Sequence, residues 1–197
     1  MSKFAVFVAR LAVAAIVTAF AAQSSVAGTD AVAGNTEAPP GFAFATPPQA
    51  VPDESFQSAD GETSLAAFRG KVVVLNFWAT WCAPCVREMP SLDRLQAMLG
   101  GDDFAVVALS EDRGGMPLVV RFYEKYGLEN LARYLDPQGR VAALLGVVGM
   151  PTTVVIDREG REIGRLVGPA EWDSPAALAL IRGVLGGEPK LDSAAVE

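Results

Sequence analysis

Two cysteines three positions apart constrain this chain more than any other feature, because Cys82 and Cys85 are its only cysteines. The residues before them, 71–78 (KVVVLNFW), are mostly apolar and predict a buried strand. Apolar residues recur at helical spacing after them and predict a helix over 83–99. A Cys-x-x-Cys pair where a strand passes into a helix is typical of sites at which two sulfurs form and break a disulfide. The sequence therefore predicts a redox-active disulfide between these two residues.

The predicted position of each cysteine gives it a different role. Cys82 falls at the N-terminus of the helix, where unpaired backbone N–H groups and the helix dipole stabilise a thiolate. Cys82 is therefore the predicted attacking thiol and Cys85 the resolving one. Pro84 suits the first helical turn, because the N–H group that proline lacks would have no intrahelical partner there.

Two other uses of a cysteine pair fit the sequence poorly. A structural zinc site needs about four ligands, and this chain has no histidine and no third cysteine. A purely structural disulfide across so short a loop would constrain the unfolded chain very little. We therefore expect redox chemistry carried by the cysteines themselves, with no metal and no other cofactor.

The N-terminal segment predicts export. Lys3 and Arg10 give a basic start, residues 11–22 are uncharged and apolar, and residues 25–27 offer a small-residue cleavage site. Residues 1–27 are thus interpreted as a signal peptide or as an N-terminal membrane anchor, since about 20 apolar residues span a bilayer. Both interpretations predict an exported protein, which in the second case stays attached to the membrane.

Composition divides the rest of the chain into three parts. Residues 28–50 are rich in Pro and Ala and predict an extended tether. Residues 51–189 are long enough to bury an apolar core without disulfide staples, which leaves both cysteines free for chemistry. Residues 190–197 predict a flexible tail. The net charge of −7 argues against nucleic acid as a partner.

Predicted strands and helices alternate along the domain, which favours an α/β fold. The order matches a thioredoxin-like three-layer fold, with a central mixed sheet, helices on both faces and an inserted central helical segment. Residues 111–113 are predicted to form a solvated loop, and Trp172 is predicted to pack in the core. The remaining predicted elements are a short helix capped by Ser64, strands over 104–110, 152–157 and 162–167, and helices over 117–126, 140–145 and 175–185.

Four motifs connect the domain with a known family: WATWCAPC at 78–85, EMP at 88–90, GMPTT at 149–153 and GPAEW at 168–172. Through them, residues 51–187 resemble the TlpA/ResA-type thiol:disulfide oxidoreductases of the thioredoxin-like superfamily. The resemblance implies a protein tethered outside the inner membrane that reduces disulfides of partner proteins during cytochrome biogenesis. Thr152 departs from the CcmG-type relatives, which carry Glu after the proline, and this weakens a dedicated cytochrome c assignment.

The resemblance also implies a substrate-binding surface. Pro151 matches a cis-proline that faces the cysteine pair, and the backbone of Met150 can pair with an extended substrate segment. Trp81 precedes the attacking cysteine and is predicted to expose an aromatic face to the partner. The predicted substrate-binding residues are therefore Trp81, Pro84, Met150 and Pro151.

Glu88 is the predicted acid–base residue. It lies one helical turn after Cys85 and matches an active-site acid of the family. Asn76 occupies the strand position, six residues before Cys82, where thioredoxins carry a buried Asp, and it is predicted to be a hydrogen-bonding core residue. The alternative for Glu88 is a solvated acid that is favourable near the helix N-terminus.

The residues between the cysteines favour a reductant. Strong oxidants of this fold stabilise their thiolate heavily, often with a His at this place, and the dipeptide here is Ala83-Pro84. The predicted partners are disulfide-containing periplasmic proteins and an upstream electron donor in the membrane. Two alternatives remain open: a periplasmic disulfide oxidant, and a non-catalytic partner-binding module of the same fold.

Overall fold

The computed structural model describes residues 38–187, and within them the chain forms eight strands and five helical segments. The strands are β1 (Ala43–Ala50), β2 (Ser55–Ser58), β3 (Gly61–Ser64), β4 (Val72–Trp78), β5 (Phe104–Ser110), β6 (Tyr134–Leu135), β7 (Thr152–Ile156) and β8 (Arg161–Val167). The helical segments are a 3₁₀ helix (Leu65–Phe68), α1 (Ala83–Leu99), α2 (Met116–Tyr126), α3 (Arg140–Leu144) and α4 (Pro175–Leu185).

The strands form one mixed sheet in the order β1-β8-β7-β4-β5-β6-β2-β3. β5 is parallel to both β4 and β6, and the other neighbouring pairs are antiparallel. β4 and β7 are antiparallel, with Phe77 opposite Thr152. The end of β4 and the start of β7 therefore lie at the same edge of the sheet, which brings the residues before α1 close to those before β7.

The core lies on both faces of the sheet, because side chains of β4 alternate between them. Val72, Val74 and Trp78 face the apolar cluster that includes residues of α1, α2 and α4. Val73, Leu75 and Phe77 face a second apolar cluster, which includes residues of the 3₁₀ helix and of α3. All seven residues of β4 are buried, which explains its nearly continuous apolar sequence. The predicted three-layer thioredoxin-like fold is confirmed.

The N-terminal boundary of the domain differs from the prediction. The extended tether predicted over 28–50 is wrong for residues 43–50, which form β1 and pair antiparallel with β8. Prolines are tolerated here because β1 is an edge strand and the register shifts between Phe44 and Gln49. The ring of Phe42 lies so close to Gly164 that a side chain there would collide with it. The signal or anchor over 1–27 and the tail over 190–197 lie outside the described residues.

Local patterns predicted the longer elements well. α1, β5 and α4 begin and end where predicted, and α4 starts at a Ser174 cap followed by proline. The short strands β2, β3 and β6 were not predicted, since they are polar or only two residues long. Between residues 38 and 187, no helix has the length and apolar character needed to span a bilayer.

Candidate active site

The two cysteines form a disulfide where β4 leads into α1. Cys82 is the N-cap residue of α1 and Cys85 lies in its first turn, with 5.3 Å between their Cα atoms. Cys82 is 6% exposed and Cys85 is completely buried, whereas the neighbouring Trp81 is 70% exposed. Only Cys82 borders solvent, so a sulfur of another polypeptide can approach this residue and not Cys85.

A buried carboxylate fixes the turn that precedes Cys82. Asp112 accepts hydrogen bonds from the backbone N–H of Thr80 at 2.9 Å and from its hydroxyl at 2.7 Å. The hydroxyl of Ser110 donates a third at 2.8 Å. Asp112 is 1% exposed, so the predicted solvated loop over 111–113 is wrong for this residue. Its partners in the turn are 32 positions away, and no local pattern could indicate them.

Glu88 is buried beneath the segment that precedes α4. Its Oε1 accepts a hydrogen bond from Asn76 Nδ2 at 2.7 Å, and its Oε2 accepts one from the backbone N–H of Ala170 at 3.0 Å. Only 1% of Glu88 is exposed, which contradicts the solvated alternative. Burial raises the pKa of Glu88 from 4.5 to about 7, although the hydrogen bonds from Ala170 and Asn76 oppose the rise. This carboxyl group can therefore exchange a proton near neutral pH.

The segment over residues 168–172, called the covering segment below, forms further hydrogen bonds with α1. Ser91 donates its hydroxyl to the backbone carbonyl of Glu88 at 2.7 Å and accepts from the backbone N–H of Trp172 at 3.0 Å. Trp172 is fully buried in the core, so its predicted packing role is confirmed. Local patterns indicated no role for Ser91 or Ala170, because Ser91 supports the site indirectly and Ala170 contributes only a backbone N–H.

The loop before β7 reaches the same edge of the sheet. The Met150–Pro151 peptide bond is cis, which the family resemblance implied. Pro151 is buried and Met150 is half-buried. Trp81 and Met150 line one cavity of about 480 Å³, with Glu111 on its wall. The structure thus brings the predicted substrate-binding residues Trp81 and Met150 together beside the disulfide, while Pro84 lies partly exposed in the first turn of α1.

We expect Cys82 alone to react rapidly with alkylating reagents in the reduced protein. It lies at a helix N-terminus and borders solvent, whereas Cys85 is enclosed. Brief treatment with iodoacetamide at mildly acidic pH, followed by peptide mass spectrometry, measures the labelling of each thiol. The Cys82→Ser variant is the control and should remain almost unlabelled. Equal labelling of both thiols in the unaltered chain would contradict the assignment of the attacking residue.

The fold and the disulfide together define a thioredoxin-like protein with a redox-type cysteine pair. The family profile described as Redoxin matches residues 46–181, and the chain belongs to this family. Within residues 38–187, no group of three or more His, Cys, Asp or Glu side chains could hold a metal ion.

Two named bacterial proteins match more than half of the chain. The thiol-disulfide oxidoreductase ResA of Geobacillus thermodenitrificans is 36% identical over 112 residues, which are 56% of this chain and 63% of the relative. The thioredoxin-like protein YneN of Bacillus subtilis is 38% identical over 115 residues, 57% of this chain and 66% of that protein. For the ResA proteins of Bacillus the matched part is 59% of their length, less than two thirds.

A solved structure matches a larger share of the chain than these relatives do. The DsbE-type thiol:disulfide interchange protein of Chlorobium tepidum superimposes with a TM-score of 0.64 at 33% identity, covering 71% of this chain and 97% of that protein. The resemblance to TlpA/ResA-type proteins is confirmed by these comparisons.

Proposed function

We propose that this chain is an exported thiol:disulfide oxidoreductase that reduces disulfides in periplasmic partner proteins. The observation that carries the proposal is the asymmetry of the Cys82–Cys85 disulfide, in which one sulfur borders solvent and the other is enclosed. This arrangement suits two successive exchanges, the first between two proteins and the second within this one. The names of the relatives support the same chemistry.

The reaction starts from the reduced cysteine pair. The Cys82 thiolate attacks one sulfur of the partner disulfide, a mixed disulfide forms, and the other partner sulfur leaves as a thiolate. Cys85 then gives up its proton and attacks the sulfur of Cys82. The second partner sulfur leaves, so the partner gains two electrons and this chain regains its disulfide. Glu88 is the group proposed to take the proton from Cys85.

The docking surface is proposed from exposure and position. Trp81 offers an apolar face next to Cys82, and Met150 lines the same cavity. An extended partner segment can pair with the backbone at Met150 as an added strand. Pro151 and Pro84 border this surface without N–H groups that would compete for the partner's carbonyls.

Export is proposed from residues 1–27, with either cleavage or retention as an inner-membrane anchor. The periplasm is kept oxidising, so a reductant there needs electrons supplied through the membrane, and the proposed donor is a membrane protein. Partners in cytochrome biogenesis are proposed from the family resemblance alone.

The reduction potential tests the direction of electron flow. We expect a value at or below about −200 mV, well below the roughly −120 mV of the periplasmic oxidant DsbA. The reason is that Ala83-Pro84 supplies no cationic group to stabilise the thiolate of the reduced form. A difference of 30 mV corresponds to about 1.4 kcal/mol for this two-electron couple, so the two directions are well separated.

The measurement equilibrates the purified protein in glutathione or dithiothreitol buffers and quantifies its free thiols by labelling. The Cys85→Ser variant is the control, because it cannot form the internal disulfide and should show no corresponding transition. A potential close to that of DsbA would overturn the reductase proposal in favour of a disulfide oxidant.

A further inference from the structure

Asn76 makes an unusual set of contacts in the middle of β4. Its side chain is completely buried. One amide atom, Nδ2, donates to both Glu88 Oε1 at 2.7 Å and Thr153 Oγ1 at 2.9 Å. The other, Oδ1, is enclosed and has no hydrogen-bond partner in residues 38–187. An enclosed acceptor without a partner is destabilising, so this orientation of the amide needs an explanation.

The orientation of the amide follows from the charge of Glu88. An ionised carboxylate only accepts hydrogen bonds, so the amide atom that faces it has to be the donor Nδ2. A Glu88 that carries its proton on Oε1 places an O–H donor at the same point. Two donors would then face each other unless the amide turns by about half a rotation about its Cβ–Cγ bond.

The reversed amide offers an acceptor to the protonated state, and its Nδ2 takes the enclosed place of Oδ1. Oδ1 then occupies the former place of Nδ2 and accepts from the O–H of Glu88. The hydroxyl of Thr153 can donate as well as accept, so it turns to donate to the same Oδ1. The backbone N–H of Ala170 remains bonded to the other oxygen of Glu88 in both states. The carboxyl group therefore keeps its place whether or not it carries a proton.

We infer that Asn76 is a positioning residue whose amide reverses when Glu88 takes up a proton. In the proposed function this proton comes from Cys85. Only this origin of the proton rests on the proposed function. One proton moves from Cys85 Sγ to a carboxylate oxygen of Glu88, and no electrons are transferred. An Asp at position 76 could not serve in this way, because its ionised form offers no donor.

The charged side chains near Glu88 do not lie on β4 or β7. Arg87 on α1 and Glu171 in the covering segment line a cavity of about 290 Å³ together with Glu88. Burial raises the pKa of Glu88, and Glu171 adds to the rise. β4 and β7 contribute only the neutral groups of Asn76 and Thr153. The amide of Asn76 is thus the strand group in direct contact with the titrating carboxyl group.

Nuclear magnetic resonance of the full chain can follow the amide directly. The chain has three asparagines, and Asn130 supplies a matched reference because its Nδ2 donates to the Asp93 carboxylate at 2.7 Å. We expect the side-chain N–H signals of Asn76 to change between pH 5 and 9 with the same midpoint as the carboxyl carbon of Glu88. The signals of Asn130 should not follow that midpoint. An Asn76 signal that stays constant while Glu88 titrates, or a Glu88 that does not titrate in this range, overturns the inference.

Asn76→Leu provides a second test, since it removes the amide at similar volume. Loss of the charge-assisted hydrogen bond should move the Glu88 midpoint upward by about one pH unit. Thr153→Val is the matched control, which keeps the bond between Asn76 and Glu88 and should move the midpoint less. An unchanged midpoint in Asn76→Leu overturns the inference. Neither measurement needs a partner protein. If the protein failed to reduce disulfides, the proposed function would be contradicted, but the titrations of Glu88 and Asn76 could still be measured. If Asn76→Leu does not fold, the titration of the unaltered chain decides.

Discussion

Cys85→Ser is expected to convert the protein into a trap that keeps its partners bound through a mixed disulfide on Cys82. The first exchange needs only the solvent-bordering sulfur of Cys82, and the second needs the enclosed thiol of Cys85. Turnover should therefore be abolished while covalent complexes accumulate. The measurement uses the full chain with an affinity tag, expressed in bacteria, followed by non-reducing electrophoresis and mass spectrometry of the adducts.

Two variants control the trapping experiment. Cys82→Ser removes the attacking sulfur and should give no adducts, and the double variant should behave in the same way. Adducts on Cys85 in the Cys82→Ser variant would indicate that the roles are reversed. If Cys85→Ser accumulates no adducts under conditions where it is folded, the non-catalytic binding module becomes the better description.

The sequence predicts those parts of the fold that depend on neighbouring residues. The bounds of α1 and α4 follow from apolar spacing, from proline in the first turn and from the cap at Ser174. β1 could not be predicted in this way, because its prolines indicate a tether. Its place in the sheet depends on pairing with β8, more than 110 positions further along the chain. Edge pairing of this kind leaves almost no local signal.

The same distinction applies to the candidate site. The cysteines and Glu88 were identified from spacing and family motifs, and the exposure of Trp81 agrees with its predicted surface. The burial of Glu88 depends on a segment that covers it from 82 positions away, where Ala170 contributes a backbone N–H. The carboxylate of Asp112 is enclosed for a similar reason. Local patterns show which side chains could act in a site, and the tertiary fold determines which of them are buried.

Glu88→Gln is expected to slow the resolving step at neutral pH by about 100-fold or more, which is the usual contribution of a positioned acid or base. Burial holds the pKa of Glu88 at about 7, so the rate in the unaltered protein should fall as the pH drops below this value. Without this base, the profile should instead follow the thiol of Cys85 itself. Stopped-flow measurement of partner release from a preformed Cys82 mixed disulfide, between pH 5 and 9, gives both profiles.

Glu171→Gln is the matched control for that experiment. It removes a carboxylate from the same cavity, but one whose side chain is 70% exposed and forms no hydrogen bond to the site within the described residues. Its rate should stay close to that of the unaltered protein. Identical pH–rate profiles for Glu88→Gln and the unaltered chain would remove Glu88 from the proton-transfer step.

The same substitution should change how stability depends on pH. The pKa of Glu88 is about 7 in the folded state against 4.5 for the ordinary group, so the folded protein holds this proton more tightly than the unfolded chain. Its contribution to the free energy of unfolding is complete below pH 4.5 and declines as the pH rises through about 7, by about 3 kcal/mol in total. A glutamine stays neutral, and it can donate to the reversed amide of Asn76 while accepting from Ala170. Urea unfolding at pH 5 and pH 8 should therefore show a loss of stability in the unaltered protein that is absent from Glu88→Gln. An equal loss in both proteins would mean that Glu88 is solvated.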